Sequence, residues 1–185
     1  MKKVTMWLLL LSSVMPLTTG CAVYHYYGPY YGKVIDADTK QPLEGAAVLA
    51  VYYTESYGLA GSTDNYLDAQ ETVTDRNGEF QIPALHSIAF RPLQAFESYT
   101  WFKIFKPGYG CYPEYKKSMP MFVPNGSLPA NTLVIIKLPK LRTRNERLES
   151  QRCEPVLIPI AKYKQFRSVI NIERQSLGLE PIPIN

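Results

Sequence analysis

The chain has 185 residues, of which 20 are basic, 16 acidic and 3 cysteine, with 46% apolar side chains and a net charge of +4. That length suits one modest domain able to bury a real core. Charges of both signs are interspersed and nearly balanced once Lys2 and Lys3 are set aside, which excludes the concentrated basic face of a nucleic-acid binder; beyond the N-terminal run no stretch is apolar enough to cross a bilayer as a helix of about 20 residues.

Lys2 and Lys3 precede a short apolar run, Trp7 to Leu11 and Val14 to Leu17, and Thr18, Thr19 and Gly20 put small residues directly before Cys21. A charged start, an apolar centre and a small-residue end make an export signal. It resembles the signal of bacterial lipoproteins, in which cleavage falls before the cysteine, whose thiol becomes diacylglyceryl-modified and whose new amino group is usually acylated. The resemblance implies a signal over 1–20, lipidation at Cys21, a membrane as partner through N-terminal lipid, and a place in the cell envelope. The outer membrane is the expected one, because Ala22 is not the Asp that marks retention in enteric-type bacteria. Ordinary cleavage at the small-x-small site Gly20-Cys21-Ala22 is the alternative.

Residues 21–31 read CAVYHYYGPYY and suggest a tether or an edge segment. Tyr24, Tyr26, Tyr27, Tyr30 and Tyr31 crowd around Gly28-Pro29, either as an aromatic platform for sugar rings or lipid headgroups or as a spacer that lays rings over the domain. GKVID from Gly32 is a strand, ADTKQPLEG is rich in turn formers, and AAVLAVYY is apolar enough to be covered on both faces. Residues 56–70 read as a loop. Glu71 to Thr74 and Glu79 to Ile82 flank Asn77-Gly78 as a β-hairpin would. Residues 83–95 suggest an irregular stretch or helical turn limited by Pro83 and Pro92. Ser98 to Phe105 alternates like a strand and stops at Lys106-Pro107-Gly108-Tyr109, and Leu133 to Leu138 has the composition of a buried strand. Short strands with turn signals indicate a mainly β fold, a β-sandwich of about seven strands.

From Pro139 the pattern changes to a helical extension over 139–185. Thr143 with Glu146 forms a capping box that opens a helix running to about Arg152. A second helix spans Ala161 to Leu177, with Tyr163, Phe166, Val169, Ile170 and Leu177 in one stripe and Gly178-Leu179 placed for a Schellman stop. The stripe either packs on the sandwich or docks a partner in a groove. With Cys21 lipidated, Cys111 and Cys153 are the two thiols left in an oxidising compartment and form an expected disulfide; two buried free thiols are the alternative.

The blocks GKVIDADTKQPLEGAAV, TDRNGEFQI and FKPGY together resemble the carboxypeptidase regulatory-like domain, a transthyretin-like, Ig-like sandwich of exported bacterial proteins. The matching positions are Gly32, Val34, Asp36, Thr39, Pro42, Leu43, Gly45, Ala46 and Val48, then Thr74, Asp75, Gly78 and Phe80, then Lys106 to Tyr109. The resemblance covers residues 32–138. In the peptidases this module accompanies a zinc catalytic domain and holds none of its catalytic residues, so it implies no peptidase activity here.

Chemistry-bearing motifs are few. The chain has 2 histidines, His25 and His86, which is short of a zinc set. The DRNG run at Asp75 lacks the closing ligands of a calcium loop. A triad from His86 and a serine would need a nucleophile elbow or equivalent geometry, and no GxSxG, phosphate loop or dinucleotide fingerprint occurs. The expectation is a non-catalytic, lipid-anchored β-sandwich module that binds an envelope protein or glycan, with no cofactor and no metal. The alternatives are a transthyretin-like subunit of a secretion or transport assembly and a hydrolase of envelope polymers.

Overall fold

The computed structural model describes residues 22–58, 61–90, 96–113, 126–155 and 157–184. Within them lie β1 (Ala22–Tyr27), β2 (Tyr30–Asp36), β3 (Ala47–Gly58), β4 (Gly61–Val73), β5 (Glu79–Ile82), β6 (Leu85–Phe90), β7 (Phe96–Phe105), β8 (Leu133–Leu138), α1 (Arg144–Glu149) and α2 (Lys164–Ser176). The strands form a mixed sheet β5-β2-β8, an antiparallel sheet β4-β3-β7 and a ribbon β1-β6. The two larger sheets face each other as a β-sandwich.

β3 explains why the fold has three layers. Its side chains alternate, as the two-residue strand period requires: Val48, Ala50 and Tyr52 enter the core between the sheets, while Ala47, Leu49 and Val51 enter a second core under α2. Both faces are buried, as its unbroken apolarity predicts. The inter-sheet core adds Val34, Phe80, Ile82, Phe102, Ile104, Tyr112, Ile136 and Leu138. In β8 only alternate residues are enclosed, and Leu133 and Ile135 are 62% and 53% exposed, so the expected buried strand is half-buried.

Three sequence expectations are corrected by strand pairing. Residues 56–58 and 61–70, expected in a loop, are strand: they belong to the long β3-β4 pair, which runs from Ala47↔Val73 to Gly58↔Gly61 with a bulge at Tyr52/Tyr53. Polar side chains mislead there because most of β4 is only partly covered. The stretch around Asn77-Gly78 turns as expected but joins no hairpin, since β4 pairs with β3 whereas β5 pairs with β2 in the opposite sheet. Its arms are pulled apart by bonds from Val34 N to Gly78 O (2.8 Å) and Gly45 N to Thr74 O (2.9 Å). Gly78 has φ +73°, and a Cβ there would meet the Val34 carbonyl at 2.4 Å, so glycine is required on both counts. Residues 85–90, within the expected irregular stretch, form β6 and pair with β1.

Asp36 organises the turn after β2. Its Oδ1 accepts from the backbone N–H of Asp38 (2.8 Å) and Thr39 (2.9 Å), and its Oδ2 accepts from the Tyr109 hydroxyl (3.1 Å). Burial alone would push its pKa up, but these donors outweigh burial and hold it below the ordinary aspartate value. A depressed carboxylate stabilises the fold above its unfolded value of about 3.9 and loses that contribution as pH falls through the folded value. Asp36→Asn should therefore cost about 1–2 kcal/mol at pH 7. The gap from wild type should close on acidification below about pH 4, which denaturant midpoints across pH will check; a constant gap would refute the account.

The helical extension braces the outer face of β4-β3-β7. α1 starts at the expected capping box, with Glu146 N donating to Thr143 Oγ1 (3.2 Å) and Thr143 N to Glu146 Oε2 (3.0 Å). Phe166 and Ile170 of α2, with Tyr163 just before it, pack with Leu49, Val51, Ala69 and Phe105. Bonds from Gly178 N to Gln175 O and from Leu179 N to Arg174 O close it as a Schellman motif. Glu71 of β4 caps its start by accepting from Gln165 N (3.0 Å) and Phe166 N (2.8 Å). Glu173 is 1% exposed and takes both Arg147 Nε (2.6 Å) and Gly108 N (3.0 Å), tying α1, α2 and the turn after β7 together.

Candidate binding surfaces

Of the two readings of the tyrosine-rich segment, the tether is replaced by strand. Residues 22–27 are β1, and Tyr30 and Tyr31 open β2, so the sandwich begins before residue 32. The five tyrosines are split by strand alternation. Tyr27 and Tyr30 are core: the Tyr27 ring meets Tyr52 edge-on at 5.1 Å, and the Tyr30 ring meets Phe102 at 4.8 Å while its hydroxyl bonds Thr100 Oγ1 at 2.7 Å. Burial raises the pKa of both. They are withdrawn from any platform. Tyr24 and Tyr26 remain outside at 59% and 52% exposure, beside His86 and Ile88 on the same face of the ribbon. The Tyr24 hydroxyl bonds His86 Nδ1, and the Tyr26 ring meets His86 edge-on at 5.0 Å. Tyr31 lies apart, with Gly32, Phe80, Gln81 and Leu133 around a shallow depression on the outer face of β5-β2-β8.

Cys21 lies outside the described residues. Cys111 and Cys153 are bonded, with Cα atoms 5.9 Å apart and both side chains buried between β7 and α2. Among the described residues His86 bonds the Tyr24 hydroxyl and meets the Tyr26 ring, whereas His25 bonds Ser98 Oγ through Nδ1 at the seam of β1 and β7. A serine beside a histidine is one part of what acyl transfer requires. Asp75 spends its Oδ1 on Asn77 N (2.9 Å) and Glu79 N (2.8 Å), which is turn chemistry. Among the described residues no three His, Cys, Asp or Glu side chains converge to hold a metal.

A further surface was not singled out in the sequence. Past the bulge, Tyr53 has Tyr66 of β4 and Tyr99 of β7 as its cross-strand neighbours. The Tyr53 and Tyr99 rings stack at 5.4 Å, and Tyr66 and Trp101 meet Tyr53 edge-on at 6.3 and 6.1 Å. Two residues further along the same face, Glu55 has Asp64 and Glu97 as its partners. An aromatic row thus lies beside a carboxylate row: Tyr53 and Tyr66 pack at the edge of the core under α2, Trp101 is exposed, and the carboxylates lie further along the strands. The alternation in YTESYG and ESYTW hints at such a face. Only the register brings the rows together.

The fold and these surfaces define a small β-sandwich with a helical brace, an exposed Tyr24–Tyr26 face, a half-buried aromatic row and a buried disulfide. No family model matches the chain, and no curated protein does. Two solved structures are similar to it: the C-terminal domain of the shaft pilin spaA from Lactobacillus rhamnosus GG, 13% identical over 64% of this chain and 98% of that one at a TM-score of 0.33, and a 9R-lipoxygenase from Cyanothece PCC8801, 15% identical over 77% of this chain and 24% of that one at a TM-score of 0.29. Likenesses this loose carry no argument about fold or function.

Proposed function

We propose that this chain is a non-catalytic lipoprotein of the cell envelope, most simply of the outer membrane, held by lipid on Cys21 and presenting a carboxypeptidase regulatory-like sandwich to an envelope protein or glycan. The observation that carries the reading is the buried Cys111–Cys153 bond. Disulfides of this kind persist in exported proteins and are rare where glutathione keeps thiols reduced, which agrees with the export signal ending at Cys21. The family resemblance is supported by what its motif residues do: Asp36 builds the turn after β2, Thr74 and Gly78 send their two arms to opposite sheets, and Val48 and Phe80 fill the space between them. Because β1 begins at Ala22, an anchor on Cys21 leaves almost no spacer, and the Tyr24–Tyr26 face of the ribbon would sit close to the headgroups. Tyrosine, with an apolar body and a polar tip, suits that boundary.

Metabolic labelling with palmitate tests the anchor. Wild type should incorporate label and Cys21→Ala should not, with the wild-type protein recovered in the membrane fraction. Equal label in the two would sink the reading.

A further inference from the structure

α2 covers one end of the β4-β3-β7 face and leaves the other open. We infer that this open end is a docking surface for a basic peptide segment of a protein partner, whose Lys and Arg side chains lie over Tyr99 and Trp101 at the margin of the aromatic row and reach Asp64, Glu55 and Glu97. The inference goes beyond the envelope reading and does not depend on the anchor.

Charge complementarity identifies the occupant. Direct cross-strand neighbours stand about 5 Å apart at Cβ, and like charges there oppose sheet formation. Glu55 has a carboxylate on both sides, Asp64 on β4 and Glu97 on β7. Among the described residues none of the three takes part in an ion pair. The Tyr57 hydroxyl donates to Glu55 at 3.1 Å, which satisfies an oxygen without neutralising a charge. Basic groups of this face lie toward α2: Lys162, held by Asp68 at 2.6 Å, and Lys103, opposite Leu49 on β7. The field reaches the aromatic row: burial first, then the Asp64 hydrogen bond and charge, push the Tyr99 hydroxyl well above its ordinary range.

Such a row is a cost to folding unless a cation covers it, and the adjoining rings suit the same cation. Ammonium and guanidinium groups are drawn to aromatic faces, and guanidinium also stacks on them. Trp101, the best ring for this purpose, is 44% exposed. A neutral sugar could use the rings but has no need of three opposed charges. A metal ion would need the carboxylates to converge, and no such group forms among the described residues.

Titration calorimetry of the purified protein with a hexa-arginine peptide, at low and at physiological salt, tests the proposal. The double variant Glu55→Gln/Glu97→Gln should bind about tenfold more weakly, and Trp101→Leu several-fold more weakly, in keeping with exposed ion pairs and cation–π contacts. Glu44→Gln/Glu180→Gln, with the same charge removed elsewhere, should bind as wild type does. The double variant should also melt no lower than wild type, since it relieves repulsion. If it fails to fold, Asp64→Asn at the exposed rim supplies the same comparison. Equal affinity of wild type and the double variant overturns the proposal. So does equal weakening by the control pair, which would make the binding unspecific, and so does a neutral hexasaccharide binding wild type more tightly than the peptide, which would make the surface a glycan platform.

Discussion

Phe166→Ala should lower the unfolding free energy by about 3–5 kcal/mol, the range for removing a phenyl ring from a closed core. The side chain has no exposure and lies in the layer between α2 and the outer face of β3, with the Phe105 ring at 6.5 Å and Leu49, Val51, Ala69, Tyr163 and Ile170 in the same cluster. Leu49 and Val51 belong to the central strand β3 and are held by ladders on both sides, so the site collapses little around the missing ring and most of the cavity persists. Glu71 caps the helix at Phe166 N itself, which fixes the backbone there and limits relaxation further. Ile172, on the same helix but 57% exposed, provides the contrast, and Ile172→Ala should change stability by less than about 0.5 kcal/mol. Urea unfolding of both variants measures the difference. A Phe166→Ala loss below about 1 kcal/mol would mean that the stripe does not hold the brace to the sandwich.

Removing the disulfide should have a comparable effect by a different route. Cys111 and Cys153 are 42 residues apart in sequence, and closing a loop of that length removes on the order of 4 kcal/mol of unfolded-chain entropy in the loop model. Cys111→Ala/Cys153→Ala is the cleaner variant, because it leaves no buried polar group in the apolar layer under α2. The native contacts around the bond survive it: Ser150 Oγ accepts from Cys111 N at 3.1 Å and donates to Tyr109 O at 3.0 Å, so the turn before α2 remains tied to the segment after β7. The loss should therefore appear as a lower denaturant midpoint with the folded-state spectrum unchanged. Peptide mapping of unreduced protein taken from the cells that make it should recover the two segments joined. Recovery of two freely alkylated thiols would reject the bond and weaken the case for an exported protein.

The legibility of this chain follows from the range of each interaction. Local signals were readable: the Thr143–Glu146 box, the Gly178-Leu179 stop, the Asp36 turn and the glycine at position 78 act within a few residues, so their consequences lie inside the motif. The two-sided burial of β3 was readable as well, because an unbroken apolar run has no face to offer to water. The pair Cys111–Cys153 followed from the cysteine count and an expected oxidising compartment.

Pairing was not readable. The turn at Asn77-Gly78 has the residues of a hairpin whether its arms stay in one sheet or part into two, and what parts them is bonding to Val34 and Gly45, far from the turn in sequence. β4 carries too many polar residues to announce itself, because much of its length is only partly covered. The tyrosines from Tyr24 to Tyr31 have one composition and two fates, set by which of them face Tyr52 and Phe102 across the sandwich. The row of Asp64, Glu55 and Glu97 comes from three separate strands, and the aromatic row beside it likewise. The sequence by itself determined the turns, the caps, the mainly β character and the amphipathic helix, since each rests on contacts between near neighbours. The tertiary structure alone decided sheet membership, register and the composition of each exposed face, since these depend on which distant strands meet and at what offset.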